Sequence, residues 1–418
     1  MVALAGLSLA VWLYLLAFRG GFWRLTERES DLASPDARDR SNADNVIDSK
    51  NLERDFREKP VPTFSHRAPG PQGLCVTAIV PARDEAQVID KSLSSLFTQR
   101  FDGAFDVLLV DDQSADGTAD VARACAQKLG AADRLSVLTT ARPESGWTGK
   151  LSAMNTGLTH VAARGALPDF LLFCDADIAF APDVLDRLVA GALARGAVLV
   201  SLMARLRCES AAERWLVPAF VFFFQMLYPF AWVNAPKSQT AAAAGGVMLL
   251  RPEALLRAGG LEAIRDALID DCALGALMKK EGPIWLGLAE GVTSLRAYPG
   301  FRDIEAMVAR TAFAELRYSN LRLYCAVAGM AVVYLAPPLI LIFGEPLAKA
   351  AAFNAYALMV AAFMPTLRSY GISRFYAFAL PGVAACYTWF TIESALKFWR
   401  GEGGLWKGRL QAPAKKGL

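Results

Sequence analysis

The chain has 418 residues, of which 54% are hydrophobic and 20% charged, and its mean hydropathy is +0.29. A soluble domain of average composition carries less apolar surface, so we expect part of this chain to face lipid. The net charge of +3 is too small an excess to indicate a nucleic-acid partner. Only two histidines are present, His66 and His160, and neither stands in a motif for zinc or for a Ser–His dyad. Acid–base and metal chemistry therefore fall to carboxylates, which favour Mg²⁺ or Mn²⁺.

The N-terminal segment of the chain is apolar. Residues 1–18 are uncharged and long enough to cross a membrane as a helix, with Arg19 and Arg24 directly after them. We interpret this run as an uncleaved transmembrane anchor, and the arginines place the next segment in the cytoplasm. Residues 25–73 are polar and mixed in charge, which predicts a linker without a packed core.

A second apolar region predicts membrane helices over residues 321–400, followed by a basic tail over 401–418. Three full crossings after a cytoplasmic domain would export that basic tail, against the positive-inside tendency. We expect that one segment is interfacial or re-entrant; the alternative is a tail outside the cell. Residues 216–233 form a further apolar run, read as an interfacial segment or, equally, as a buried core helix.

Between these regions, short apolar runs alternate with helical stretches, as in LCVTAIV, FDVLLV, LSVLTT and FLLFC. This alternation predicts an α/β fold with a mostly parallel sheet covered by helices, in a catalytic domain over residues 74–320. Ligands of such sheets bind at the carboxyl ends of the strands.

Acidic residues follow three of the predicted strands. They are Asp84 and Glu85 after the first strand, Asp111 and Asp112 after the second, and Asp175 and Asp177 after the fourth. Any one of these groups could simply cap the next helix. Three groups at one sheet edge repel one another unless donors or cations neutralise them, so together they favour a site for a divalent metal and a phosphate.

The ordered motifs resemble those of the inverting, family 2 glycosyltransferases of the GT-A class. IVPARDE, LLVDDQSADGT, GKLSAMNTGL, CDADI and IDDCALG match that family's motifs in order over residues 79–274. The two membrane regions, the stretch GGVMLLRPEALLRAGGLEAI and the WKGR tail look most like bacterial hopene-associated glycosyltransferases, which are relatives of ceramide glucosyltransferases.

The resemblance implies a role for individual residues. Asp271 is the general base, with Asp270 beside it, and Asp177 holds the metal on the diphosphate of the donor. The residues implied to bind the nucleotide-sugar donor are Pro81, Arg83, Glu85, Asp112, Lys150, Asn155 and Asp175. An arginine–aromatic motif expected before the C-terminal helices is incomplete here, and its nearest matches, Arg310, Arg317 and Tyr318, are the candidates for contacts with the acceptor or diphosphate.

These features together predict a multi-pass enzyme of the bacterial inner membrane whose catalytic domain faces the cytoplasm. It would move a sugar from a nucleotide sugar, UDP-linked by resemblance, to a lipid hydroxyl, with Mg²⁺ or Mn²⁺ as cofactor. Two alternatives remain at this stage: a processive polysaccharide synthase and a membrane protein that binds nucleotide sugars without catalysis.

Overall fold

The computed structural model describes residues 1–32, 73–406 and 409–410. Their contacts divide the chain into two compact units. We call residues 27–205 and 233–295 the α/β unit, and residues 1–26, 206–232 and 296–418 the helical unit. The α/β unit ends at residue 295, within the catalytic domain predicted over 74–320, and the run at 216–233 falls largely in the helical unit.

The α/β unit is built on an eight-stranded sheet with the order β3-β2-β1-β4-β7-β6-β8-β5. Within this sheet, four of the seven strand pairs are parallel and three are antiparallel, so the predicted α/β fold is confirmed and its sheet is mixed. The strands are β1 (Cys75–Ala82), β2 (Ala104–Asp111), β3 (Leu135–Thr139), β4 (Phe170–Cys174), β5 (Ile178–Phe180), β6 (Leu199–Arg205), β7 (Val247–Leu250) and β8 (Ile284–Ser294).

Helices cover this sheet, and the central strands β4 and β7 are buried at every residue. Burial on both faces explains why these strands are continuous apolar runs without alternation. The helices of this part of the chain are α2 (Ile89–Phe97), α3 (Thr118–Lys128), α4 (Gly149–Ala162), α5 (Val184–Arg195), α8 (Pro252–Arg257) and α9 (Asp270–Met278).

The start of the predicted linker is ordered against the α/β unit. Glu29 is fully buried, and its Oε2 accepts hydrogen bonds from the backbone N–H groups of Glu290 and Gly291, each at 2.8 Å. Leu32, in the short 3₁₀ helix Glu29–Leu32, is buried in the core of the unit. A linker without a core is therefore an incorrect description of these residues, and residues 33–72 of the prediction lie outside the described residues.

The helical unit contains the apolar segments. Its elements are α1 (Val2–Phe18), α6 (Ala211–Leu227), α10 (Phe301–Ala309), α11 (Ala312–Glu315), α12 (Asn320–Met330), a π-helical turn (Ala331–Leu335), α13 (Ala336–Phe343), α14 (Pro346–Ser369) and α15 (Leu380–Trp399), while α7 (Phe230–Asn234) falls at its boundary. Within the described part of the chain, three stretches are long and apolar enough to cross a membrane: Asn320–Phe343, Pro346–Ser369 and Arg374–Trp399. A shorter apolar helix is α1.

The apolar run at 216–233 forms most of α6. Residues such as Val217, Phe222 and Phe223 pack in the core of the helical unit, whereas Trp215 and Leu227 are exposed at about half of their surface (47% and 46%). Much of this run therefore packs in a core, and its contact with a membrane interface stays a prediction.

Candidate active site

A cluster of charged side chains lies at the carboxyl edge of the sheet, around the amino group of Lys150. Lys150 is in the first turn of α4, and its Nζ lies 2.8 Å from Oδ1 of Asp175 and 2.9 Å from Oδ2 of Asp270. Asp175 follows β4, and Asp270 begins α9. Two acidic motifs and one lysine that are widely separated in the sequence are thereby brought together.

The charges in this cluster determine each other's protonation. Burial alone would lower the pKa of Lys150, but the neighbouring carboxylates, Asp175 first, outweigh it and raise the pKa above its ordinary value. Lys150 is therefore a fixed cation. Burial also raises the pKa of Asp175, with a further contribution from Asp177 and an opposing one from Lys150.

Asp271 lies beside this ion-paired group and is held by the backbone. Its Oδ2 accepts a hydrogen bond from the N–H of Gly245 at 2.9 Å, and its Oδ1 accepts one from the N–H of Cys272 at 2.7 Å. Burial, followed by the charge of Asp270, raises the pKa of Asp271 to about 6, although Lys150 and the two N–H groups oppose this shift. A carboxylate with this pKa can accept a proton near neutral pH.

Gly245 closes the cluster and was not identified from the sequence. A Cβ at this position would lie 3.1 Å from Nζ of Lys150 and 3.4 Å from Oδ2 of Asp271. Because β7 runs antiparallel to β4 and Val247 pairs with Cys174, the residues before β7 reach the edge at which β4 ends. The signal available in the sequence was a glycine pair, Gly245 and Gly246, directly before the apolar run VMLL.

A second group of predicted residues meets at the ends of β1 and β2. Arg83 donates from Nη1 to the carbonyl oxygen of Asp112 at 2.5 Å, and the same nitrogen lies 3.8 Å from Oδ2 of Asp112. Oδ1 of Asp112 accepts a hydrogen bond from Oγ1 of Thr140 at 3.0 Å, a partner that the sequence did not identify. Asp112 is only 1% exposed, so the carboxylate is oriented before any ligand binds.

The loops that carry this second group are locally strained. Asp84 and Gln113 have φ values of 51° and 58°, in the left-handed region that non-glycine residues rarely adopt. Asp84 is linked to the neighbouring loop, since its N–H donates to Oγ of Ser114 and its Oδ1 accepts from the N–H of Ala115. Such strain is typical of functional sites.

The other predicted donor and metal residues lie along the same edge. Pro81 is within β1, Glu85 is buried in the loop after it, and Asn155 is half-buried in α4, five residues beyond Lys150. Asp177 is 8% exposed, between β4 and β5. Among the described residues, no group of three or more His, Cys, Asp or Glu side chains is arranged to hold a metal by itself.

The three candidates for acceptor or diphosphate contacts lie in the helical unit. Arg310 and Arg317 are exposed, at the ends of α10 and α11 respectively. The ring of Tyr318 stacks on Phe398, with centroids 4.6 Å apart, and meets the edge of Phe313. These two ring contacts pack Tyr318 against α11 and α15.

The chain is similar in sequence and in fold to known proteins. Residues 77–257 match the family model of glycosyl transferase family 2. No curated protein matches the chain. Among solved structures, mannosyltransferase PcManGT from Pyrobaculum calidifontis, in complex with GDP-Man and Mn²⁺, is 19% identical over 94% of this chain and 99% of its own, with a TM-score of 0.48.

Two further solved structures are similar. Mannosyl-3-phosphoglycerate synthase from Rubrobacter xylanophilus is 18% identical over 73% of this chain and 84% of its own, with a TM-score of 0.40. Glucosyl-3-phosphoglycerate synthase from M. tuberculosis is 20% identical over 58% of this chain and 81% of its own, with a TM-score of 0.35. The matched segment contains Arg83, Asp112, Lys150, Asp175, Asp177 and Gly245. Residues 77–257 thus match the model of a glycosyltransferase family, and the enzyme class predicted from the sequence, a glycosyltransferase, is confirmed.

Proposed function

We propose that this protein is a membrane-bound, inverting glycosyltransferase that moves a sugar from a nucleotide sugar to a lipid hydroxyl. The observation that carries the proposal is Asp271, a half-buried carboxylate with a raised pKa, beside the ion-paired Lys150. One group can accept a proton and the other can stabilise negative charge, which are the two requirements of this reaction.

The chemistry follows from these two groups. Asp271 takes the proton of the acceptor hydroxyl as its oxygen attacks the anomeric carbon. The bond between that carbon and the diphosphate oxygen breaks, and its electron pair stays on the nucleoside diphosphate. The ammonium of Lys150 stabilises the charge that develops there. Because attack and departure occur on opposite faces of the sugar, the anomeric configuration inverts.

In this proposal Arg83 and Asp112 bind the nucleotide of the donor, and Asp175 binds its ribose. The other residues of the donor site are Pro81, Glu85 and Asn155. The carboxylate of Asp112 is held by Thr140 and faces Arg83, so it is placed to accept hydrogen bonds from a nucleobase or ribose. The guanidinium of Arg83 can stack on the base. We take a UDP-sugar as the first donor to test and GDP-mannose as the second.

The carboxylates at this edge of the sheet also suit a divalent cation. Mg²⁺ and Mn²⁺ in nucleotide sites commonly use one or two carboxylates and complete their shell with phosphate oxygens and water. Asp177 supplies such a carboxylate next to the charged cluster, so a three-residue protein site is not needed. When bound, the cation would neutralise charge on the leaving diphosphate. We expect chelation to abolish transfer, added Mn²⁺ or Mg²⁺ to restore it, and Asp177→Asn to raise the cation concentration required.

A lipid acceptor is supported by the composition of the helical unit. Its exposed side chains include many large apolar ones, such as Leu321, Phe343, Phe353 and Phe375, each more than 60% exposed. Such surface is stable in a bilayer and unfavourable in water. The resemblance noted in the sequence makes hopanoid alcohols the first acceptors to test, in a bacterial inner membrane.

The test is transfer by the full chain in detergent. Purified protein is incubated with UDP-glucose, UDP-N-acetylglucosamine or GDP-mannose and a bacterial lipid extract, and lipids are analysed by mass spectrometry. We expect one hexosyl or N-acetylhexosaminyl increment per acceptor, lost in Asp271→Asn and kept in Asp266→Asn, which changes an exposed acid of the same region. Donor binding without any transfer would favour the non-catalytic alternative, and a ladder of products the processive one.

A further inference from the structure

We propose that residues 370–399 enter the bilayer and return to the face from which they came, so that α15 does not cross the membrane. The inference concerns the way the helical unit fits a lipid bilayer, and it rests on the membrane-bound part of the proposed function. It follows from contacts within the helical unit alone.

The first two long helices set the direction. Asn320–Phe343 runs from one end of the unit to the other, and α14 follows after two residues, so it runs back. Helix α1 is antiparallel to the first: Ala5 packs with Ala336, Ile340 and Ala348, whereas Trp12 lies against Tyr334. Phe343 and Met1 therefore lie at one end, which we call the Glu345 face. Arg19 and Asn320 lie at the other end, the Arg19 face.

Residues just before α15 lie at mid-depth. The Oη of Tyr356 donates a hydrogen bond to the carbonyl oxygen of Phe378 at 2.7 Å. Tyr356 is near the middle of α14, about 15 Å from its first residue at ~1.5 Å per residue. Helix α15 begins two residues later, at Leu380, and so it begins within the layer that α14 spans, away from either face.

The end of α15 lies at the Arg19 face. Phe223 contacts the rings of both Tyr387 and Tyr334, at centroid distances of 5.0 and 5.7 Å, so Tyr387 packs in the same core as the first helix. Eleven residues later, Phe398 stacks on Tyr318, which directly precedes that helix. Since α14 also ends at this face, the chain enters and leaves through it.

Irregular backbone at membrane depth is stable only when protein groups satisfy it. The segment Arg374–Ala379, a 3₁₀ helix, meets this condition. Tyr356 hydrogen-bonds the carbonyl of Phe378, the Oγ of Ser373 accepts from the N–H of Phe375, and Ala377 is fully buried. These contacts satisfy part of the irregular backbone and favour a re-entrant segment here.

Charge assigns the faces. The Arg19 face carries the arginines that flank the membrane helices, namely Arg19, Arg317, Arg322, Arg368 and Arg400, whereas the turn at the opposite face has Glu345 and, one turn into α14, Lys349. By the positive-inside tendency the Arg19 face is cytoplasmic. Three crossings, by α1, Asn320–Phe343 and α14, then leave the basic residues that follow α15 in the cytoplasm, which resolves the conflict that three C-terminal crossings created.

The test is accessibility of single cysteines in the full chain. In a variant whose seven native cysteines are replaced, Glu345→Cys, Ser369→Cys and Glu402→Cys are each labelled with a membrane-impermeant maleimide, before and after permeabilisation of bacterial spheroplasts. All three positions are exposed. We expect labelling from outside at position 345 only. Labelling from outside at 402 but not at 369 would show that α15 crosses and would overturn the proposal, as would labelling of 369 together with 402.

A second measurement needs no substitution. The native chain is fused at its C-terminus to green fluorescent protein or to alkaline phosphatase, which are active on the cytoplasmic and external sides respectively. We expect fluorescence without phosphatase activity; the reverse contradicts the proposal. Release of the protein from membranes by alkaline carbonate would contradict the insertion of the helical unit in the bilayer, on which the topology depends. Absence of sugar transfer would contradict the proposed function and leave the labelling pattern unchanged. The two proposals can therefore fail separately.

Discussion

At the scale of single residues, the site is defined by how burial and neighbouring charges divide two roles between similar acids. Asp175 and Asp270 pair with Lys150, whereas Asp271 is held by two backbone N–H groups. An ion-paired carboxylate is a poor base, because its charge is already stabilised. Burial raises the pKa of both Asp175 and Asp271, but Oδ1 of Asp175 is engaged by the ammonium of Lys150, so Asp271 is the carboxylate better suited to accept a proton.

The raised pKa of Asp271 predicts a pH dependence. A general base acts in its deprotonated form, so kcat/KM should rise with pH through about 6 and fall by about tenfold for each pH unit well below it. Asp271→Asn should lower kcat by about 10²- to 10⁴-fold, while Asp266→Asn keeps both the rate and the profile. The measurement is initial rate against pH with saturating and limiting donor; a profile without an acidic limb near pH 6 contradicts the assignment.

Gly245 offers a steric test of the same cluster. In Gly245→Ala the new methyl group would displace Lys150 or Asp271, from which it would lie 3.1 and 3.4 Å. We expect kcat to fall by about 10- to 100-fold, as small displacements of catalytic groups do, with little change in the melting temperature. Gly329→Ala, in α12 where no atom lies within 4 Å, is the control. Equal values of kcat for the two variants would show that the close contact of position 245 with Lys150 and Asp271 does not affect catalysis.

At the scale of elements, a lysine fixes the loop that carries Gly245. The Nζ of Lys279 donates to the carbonyl oxygens of Val233, Ala235 and Thr240 at 2.6, 3.2 and 2.8 Å. Further along the loop, Ala242 packs so closely on Gly275 of α9 that a Cβ there would lie 2.6 Å from the Ala242 carbonyl carbon. The loop and α9 therefore hold each other, and with them the hydrogen bond from Gly245 to Asp271.

Removing that lysine should loosen the loop. We expect Lys279→Met to lower the free energy of unfolding by about 1.5–3 kcal/mol, the range for hydrogen bonds to charged groups, and to reduce activity. The exposed Lys280→Met is the matched control. Thermal unfolding followed by tryptophan fluorescence in detergent tests this, and equal melting temperatures for the two variants would contradict it.

The elements also show where sequence patterns suffice. The apolar runs predicted as strands lie close to the observed β1 to β4, with helices between them as expected, because apolar periodicity and turn residues are local signals. The short β5, the antiparallel β7 and the long β8 were not predicted. Their places depend on pairing with strands far away in the chain, which no local pattern records.

At the scale of the whole molecule, the exposed apolar side chains of the helical unit predict integral membrane association. We expect the protein to stay in the membrane pellet in high salt and in alkaline carbonate and to be released by detergent, as immunoblotting of the fractions would show. Release by salt alone would indicate attachment by surface charge and would contradict this prediction.

The sequence by itself determined the fold class, the enzyme class and the apolar segments, because alternating strand and helix patterns, ordered motifs and long uncharged runs are all local. It also placed Asp112, Asp175 and Asp177 at one sheet edge, since parallel strands end together. Only the tertiary structure decided that Lys150 pairs with Asp175 and Asp270, that Gly245 reaches Asp271, and that Glu29 joins the α/β unit. It also decided that α15 begins at mid-depth of α14. Each of these depends on contacts between residues far apart in the chain, which form only when the whole unit packs.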